Sequence, residues 1–352
     1  MIKEELYIDI SWINDELSGG GKYSSFNIIH ALKNNNLYKK KNIILIVNKK
    51  LVKNQKFLKN FKLFYLPSNK YFNFICRWFF LFILSKKNII QKYLCLNLYS
   101  PIIKSNFETI NLIHDMQWEV FPEYYSKLRI VWLKFNIFLC SNYSNKVLFT
   151  SEFIKKQYLN NYKFKAKTYV SYLPFNFKIK SLKPKIKLKT NSFFFVLSSN
   201  LKHKNLKLII DIFQNNILNK KLVIAGVGQK LKKKDGNIVF LKKISERNKV
   251  WLYRNCYCYL QPSLYEGFGM TVVEALIYSR SILISNLRPF REICLNNVKY
   301  IKLPSLKLNW LKALKNKNKK SNMIKKNIVF YKKLLKFEPE NFSNRLFYLI
   351  YE

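Results

Sequence analysis

The sequence predicts an α/β chain of two domains, each built on a parallel sheet, and three observations carry that expectation. A length of 352 residues suits two domains of ordinary size, and 49% hydrophobic residues are enough for two cores. Short apolar runs alternate along the chain with longer amphipathic segments, the pattern of βα units. The stretch Tyr257–Ser281, YCYLQPSLYEGFGMTVVEALIYSRS, reads as a buried strand, a glycine-containing loop and the opening of a helix.

In chain order, Leu6–Ile10 is the first strand, followed by a loop over Ser11–Gly21 that ends in Gly19, Gly20 and Gly21. A helix over Tyr23–Leu32 then turns Phe26, Ile29 and Ala31 toward a core. A glycine triplet between strand and helix lets the backbone approach a phosphate, and a tight turn has the same composition. Strand runs follow at Ile43–Val47, Leu63–Leu66 and Tyr93–Leu98. Between the last two lies the most apolar stretch, Tyr71–Leu84 (YFNFICRWFFLFIL), interrupted by Arg77. It is shorter than the ~20 residues a membrane span needs, so a core helix is expected, with a helix lying in a membrane interface as the alternative. Thr109–Ile113 delivers His114 and Asp115 to the carboxyl end of a strand, where ligands bind in open α/β sheets; a structural His–Asp pair is the alternative. Tyr125–Asn142 is a long amphipathic helix, Lys146–Phe149 a strand, and Thr150-Ser151 the N-cap of a helix over Glu152–Leu159. After a strand at Thr168–Tyr172, the basic, aperiodic stretch Lys178–Lys189 with Pro184 reads as a linker.

The second domain opens with the strand Phe193–Leu197, then Ser198, Ser199, Asn200 and LKHKNLKLIIDIF. Lys204 precedes a helix whose apolar positions are Leu206, Ile209, Ile210 and Ile212. A lysine at such a junction can reach a phosphate, and among 64 Lys and Arg it can equally be a solvated residue. Leu222–Ala225, ending in Gly226-Val227-Gly228, and Ile238–Leu241 are further strands, and Ser245 caps a helix through Tyr253. The strand Tyr257–Gln261 stops at Pro262 and Ser263. Gly267 and Gly269 then flank Phe268, and Met270 opens a helix with Val273, Leu276 and Ile277 on one face. The N–H groups of that first turn, together with the positive end of the helix dipole, make an anion site suited to phosphate. Glu266 and Glu274 flank it eight residues apart, and Glu274 shares a helix face with Met270 and Thr271, which directs it back toward the loop. Carboxylates beside a phosphate site fit as acceptors for the hydroxyls of a ligand that carries the phosphate, which describes a nucleotide sugar. The plainer reading makes Glu266 a solvated loop residue and Glu274 a partner of the helix dipole. A strand at Ile282–Ile284 follows, the chain from Trp310 is helical and basic with a lysine-rich stretch at Lys315–Lys326, and a last helix runs over Phe342–Tyr351.

PSLYEGFGMTVVEAL resembles the EX7E signature of the retaining glycosyltransferases of family 4, whose GT-B architecture sets two Rossmann-like domains facing each other across a cleft. The resemblance implies an acceptor-side Rossmann-like domain over 1–177, a linker over 178–190, a nucleotide-sugar-binding domain over 191–335 and a helix over 336–352 that returns to the first domain. It implies that Glu266 contacts the donor sugar, that Glu274 holds the ribose, and that Gly267, Phe268, Gly269, Met270 and Thr271 hold the sugar and diphosphate. GGGKY is similar to the family's glycine loop, with Gly19 and Gly21 at its two glycines. IHDMQWEVFPEYYS resembles the segment whose histidine, here His114, reaches the donor sugar, LFTSEF resembles a structural element, and Glu292 falls in a segment similar to a family loop. Lys204 matches one of the two cations that the family sets against the leaving diphosphate. The arginine positions hold Ser199 or His203 instead, a departure that removes the second cation from leaving-group stabilisation. The reaction implied moves a hexose, with retention, from a nucleotide-diphosphate sugar to a hydroxyl of a glycan or polyprenyl-linked acceptor, as in the synthesis of O-antigen, capsule or lipopolysaccharide. Glu266, Lys204 and His114 would carry the catalysis. The chain has no DxD carboxylate pair, which fits chemistry without a metal. No cofactor is expected beyond the nucleotide sugar as substrate, and with no residue standing out as a nucleophile the leaving phosphate is expected to take the acceptor's proton.

Sixty-four Lys and Arg against nineteen Asp and Glu give a net charge of +45, which points to nucleic acid or an anionic membrane surface. Abundant Lys, Asn, Ile, Phe and Tyr, all with A/T-rich codons, offer base composition as a third explanation. No nucleic-acid recognition motif is found, so a nucleic-acid partner is not expected. A basic nucleic-acid-binding protein and a catalytically degenerate transferase-like protein stand as rival readings. The opening MIKEEL has no signal-peptide pattern, and six cysteines without a CxxC pair read as buried reduced thiols; a cytoplasmic protein is expected, with a peripheral place on the inner face of the membrane as the alternative.

Overall fold

The computed structural model describes residues 5–13, 19–39, 41–86, 92–101, 106–214, 218–227, 236–241, 244–304, 306–315 and 328–351. Lys87, Gly228 and residues 316–326 lie outside the described residues. Contacts divide the chain into two compact units, Met1–Pro174 with Lys336–Glu352, and Phe175–Leu335.

In the first unit the elements alternate as β1 (Glu5–Asp9), α1 (Gly20–Lys33), α2 (Asn36–Lys39), β2 (Asn42–Asn48), α3 (Lys49–Asn54), β3 (Lys62–Leu66), α4 (Lys70–Lys86), β4 (Lys92–Cys95), β5 (Glu108–Ile113), α5 (Gln117–Val120), α6 (Lys127–Tyr143), β6 (Lys146–Phe149), α7 (Glu152–Asn161) and β7 (Lys167–Val170). The seven strands form one parallel sheet in the order β3-β2-β1-β4-β5-β6-β7. The chain first steps from β1 toward β3, then from β4 toward β7. Right-handed crossovers therefore put α1 and α3 on one face and α4, α6 and α7 on the other. Helices on both faces explain why the strands are apolar without alternation, as in β1, where Leu6, Tyr7 and Ile8 are all buried. The terminal segment of the chain, Pro339–Tyr351, is a helix that packs on α1 in this unit, where Asn35 Nδ2 donates to Ser343 Oγ at 2.7 Å.

The second unit carries β8 (Phe193–Leu197), α8 (Leu206–Gln214), β9 (Lys221–Ala225), β10 (Ile238–Leu241), α9 (Glu246–Asn255), β11 (Cys258–Gln261), α10 (Met270–Tyr278), β12 (Ile282–Ser285), α11 (Arg288–Cys294), β13 (Lys299–Ile301) and α12 (Lys307–Lys315). Its six strands are parallel in the order β10-β9-β8-β11-β12-β13. One core cluster joins α8 and α12 to the sheet through Ile209, Ile212, Phe213, Leu222, Ile224 and Trp310. Helices α9, α10 and α11 cover the opposite face. Two Rossmann-like units with parallel sheets thus make up the fold. Residues 178–190 pack within the second unit, where Leu182 N–H donates to the Arg247 carbonyl at 3.0 Å and Asn248 Nδ2 to the Leu182 carbonyl at 2.8 Å.

Several local expectations give way. Gly20 and Gly21 form the first turn of α1 instead of ending a loop, and Ser24 and Ser25 both donate to the Gly21 carbonyl, at 2.9 and 2.8 Å. Glycine costs little at a helix start, and the extended N-cap Gly19 (φ −168°) lets the helix begin there. Glu292 sits in α11, not in a loop, because Pro289 in the first turn favours a helix start. The strand expected over Tyr93–Leu98 ends at Cys95, and β13 was not expected at all. Helix α4 is not a core helix. Leu81 and Leu84 pack inward and Arg77 Nε pairs with buried Asp9 at 2.8 Å, while Phe72, Ile75, Phe79 and Phe82 lie exposed on its other side.

Candidate active site

In the second unit the strand order reverses between β8 and β11, so the loops leaving these two strands diverge and open a crevice at their carboxyl ends. The loop after β8 contains a 3₁₀ turn, Lys202–Lys204, and the loop after β11 runs from Pro262 to Gly269. They are tied together where Leu264 N–H donates to the His203 carbonyl at 2.7 Å.

That tie sets Lys204 against Glu266, Nζ to Oε2 at 2.8 Å, with both side chains mostly shielded from solvent. The other carboxylate oxygen of Glu266 accepts from Ser263 Oγ at 2.8 Å and Gln261 Nε2 at 3.1 Å. Gln261 is oriented in turn, since its Oε1 accepts from Tyr259 and from Thr271 Oγ1 at 3.3 Å. A loop carboxylate is thereby fixed by three direct donors, Lys204, Ser263 and Gln261, and Gln261 is held in turn by two more. Next to it α10 begins. Gly269 adopts φ +108°, and a Cβ there would come within 2.6 Å of the Phe290 ring, so the turn that presents the first-turn amides of Met270 and Thr271 requires glycine. Phe268 is buried and stacks with Phe175 at 6.3 Å.

Glu274 does not look back to the loop. It is buried and turned toward α9, where Oε1 accepts from Lys249 Nζ at 2.6 Å and Oε2 from Tyr253 Oη at 3.1 Å. Tertiary contact with α9 decides this orientation, which helix spacing alone could not. Burial raises the Glu274 pKa, and Lys249 opposes that rise. Lys249, itself nearly covered, also pairs with Glu246 one turn earlier at 2.8 Å.

The two residues at the expected arginine positions supply no cation. Ser199 sits at the end of β8, its carbonyl accepting from Ser198 Oγ at 3.1 Å. His203 is buried, and desolvation, with Lys204 adding to it, lowers its pKa to about 4, so it is neutral near pH 7. In the first unit, Gly21 and His114 come together: a Cβ at Gly21 would lie 3.2 Å from the Trp12 ring and 3.9 Å from His114 Cδ2. His114 Nε2 meets the Leu96 carbonyl at 3.1 Å, and burial lowers its pKa. Asp115 is engaged elsewhere, accepting from Gln117 N–H at 3.0 Å. Gly19 has nothing within 4 Å of a built Cβ. Among the described residues no group of His, Cys, Asp and Glu is arranged to hold a metal ion, and no helix is long and apolar enough to cross a membrane.

Gln261, Ser263, Lys249, Tyr253 and Trp12 were not singled out from the sequence. A polar residue ending an apolar strand (Gln261) and a lysine on the inward face of α9 were the available signals.

Residues 178–329 match the family of glycosyl transferases group 1. An O-antigen chain mannosyltransferase of Salmonella typhimurium is 30% identical over 79 residues, 22% of either chain. An alpha-1,3/1,6-mannosyltransferase of Dictyostelium discoideum is 28% identical over 152 residues, 35% of this chain and 36% of that one. The matches thus span well under half the length of these curated relatives. Among solved structures, Anabaena HepE in complex with UDP and glucose superposes with a TM-score of 0.74 at 11% identity, covering 99% of both chains, which shows a shared fold.

Proposed function

We propose, from the match of residues 178–329 to the glycosyl transferases group 1 family, that the chain moves a hexose with retention from a nucleotide-diphosphate sugar to a hydroxyl of a glycan or polyprenyl-linked acceptor in cell-surface polysaccharide synthesis. The observation that carries this reading is the Lys204–Glu266 pair at the switch point of the second sheet, beside the amide-presenting start of α10. Amides of Met270 and Thr271 and the ammonium of Lys204 take up charge that develops on the departing diphosphate, without a metal ion. Glu266, held by Ser263 and Gln261, accepts from hexose hydroxyls. Glu274, buried and held by Lys249 and Tyr253, steadies the packing of α10 on α9 behind that site. His114, neutral near pH 7, serves as a donor or acceptor to the sugar and carries no charge. The leaving phosphate receives the acceptor's proton. Neutral His203 where a second cation is expected favours a slower enzyme or a donor-binding protein without turnover as the second reading.

Melting the protein with UDP-, GDP- and ADP-linked sugars tests the reading, beginning with UDP because the Anabaena neighbour holds it. One class should raise Tm, and Glu266→Gln should retain that rise while lowering turnover about a hundredfold or more. Absence of any stabilisation and any sugar transfer across the panel would sink it.

A further inference from the structure

Helix α6 repeats what α4 shows. Its Leu128, Val131, Phe135 and Phe138 have the same three-four-three spacing as the exposed stripe of α4, and the eight side chains of the two stripes are between 39% and 84% exposed. The helices are neighbours on one face of the first sheet, where the Trp78 ring lies 5.9 Å from Trp132 and 6.1 Å from Phe135. Two adjacent apolar stripes left in water are far more than the scattered apolar residues of an ordinary surface.

We infer that α4 and α6 together form a docking surface for an anionic lipid bilayer, lying flat in its interface. The charge around this surface chooses the occupant. Neither helix contains an Asp or Glu, and Lys86, Lys127 and Lys134 are exposed along them, with the Lys86 ammonium 5.6 Å from the Phe82 ring centre. A second copy seated by two-fold symmetry would set this basic rim against itself, whereas acidic headgroups complement it. The flat orientation follows from the inner side of α4. There Arg77 donates to Ser11 Oγ and Asn73 Oδ1, at 2.9 and 2.8 Å, besides pairing with Asp9, so one face is fixed to the sheet and the opposite face enters lipid.

The test is cosedimentation of the full chain with phosphatidylcholine vesicles, with and without phosphatidylglycerol. Wild type should pellet with the mixed vesicles at low salt and keep part of that binding in molar salt, where charge is screened within about 3 Å. Lys86→Glu with Lys127→Glu should weaken the low-salt partition about tenfold or more. Phe79→Ser with Val131→Ser should remove the salt-resistant fraction. All variants change exposed positions, and an unchanged Tm shift with a donor nucleotide checks that they fold. Absence of wild-type binding at low salt, or undiminished binding by the serine variant, overturns the proposal. So does an ultracentrifuge result in which wild type is a dimer that the serine variant dissociates, since a second copy would then cover the face.

Discussion

Lys249 and Glu274 form a buried pair at the back of the candidate site, and breaking such a pair from one side leaves an uncompensated charge. Lys249→Met should therefore cost about 3–5 kcal/mol, measured by urea unfolding. The sign of its pH dependence follows from Glu274. A carboxyl whose pKa is higher in the folded chain than in the unfolded one loses stabilising effect as pH rises through that interval, and removing Lys249 widens the interval upward. The loss in Lys249→Met should accordingly be greater at about pH 8 than at about pH 5, and Glu274→Gln in the same chain should flatten the difference. Equal losses at both pH values would mean that Tyr253 and water, not Lys249, keep the carboxylate ionised. Nothing in the sequence announces this pair. Glu266, Glu274 and Lys204 are legible because their chemical type and spacing survive in one dimension. The residues that hold them are brought close by packing, with 25 positions separating Lys249 from Glu274.

At the scale of elements, two glycine-led helix starts that look alike in the sequence differ in physical demand. Gly269 has φ +108° and a ring 2.6 Å from its missing Cβ, whereas Gly19 is extended with open space around it. Gly269→Ala should lower the urea midpoint by an amount equivalent to about 1–3 kcal/mol, and Gly19→Ala should leave it almost unchanged. A strong effect at Gly19 would show that its importance lies in something other than backbone conformation. The strands were readable as apolar runs because both sheets are covered on two faces. Composition could not say whether the glycine triplet ends a loop or begins a helix. The outer face of α4 was left open between two readings for a related reason: apolar residues on every side of a helix read as core or as a helix lying in a membrane interface.

For the whole molecule, the decisive fact is that the first unit is made from the two ends of the chain. Deleting residues 339–352 should expose the apolar surface of α1 and α2 that Phe342, Leu346 and Ile350 help to cover. The shortened protein should bind a hydrophobic dye and lose the cooperative unfolding of the first unit, while the second unit still melts as before. Retention of both transitions would show that the first unit is complete without its last helix. The arrangement also fixes a timetable on the ribosome. The second unit has all of its chain once residue 335 has emerged, but the first, although synthesised earlier, must wait with part of its surface uncovered until the last helix arrives. The half of the protein that is made first is thus the half that finishes last, and it is during that wait that a chaperone has something to hold.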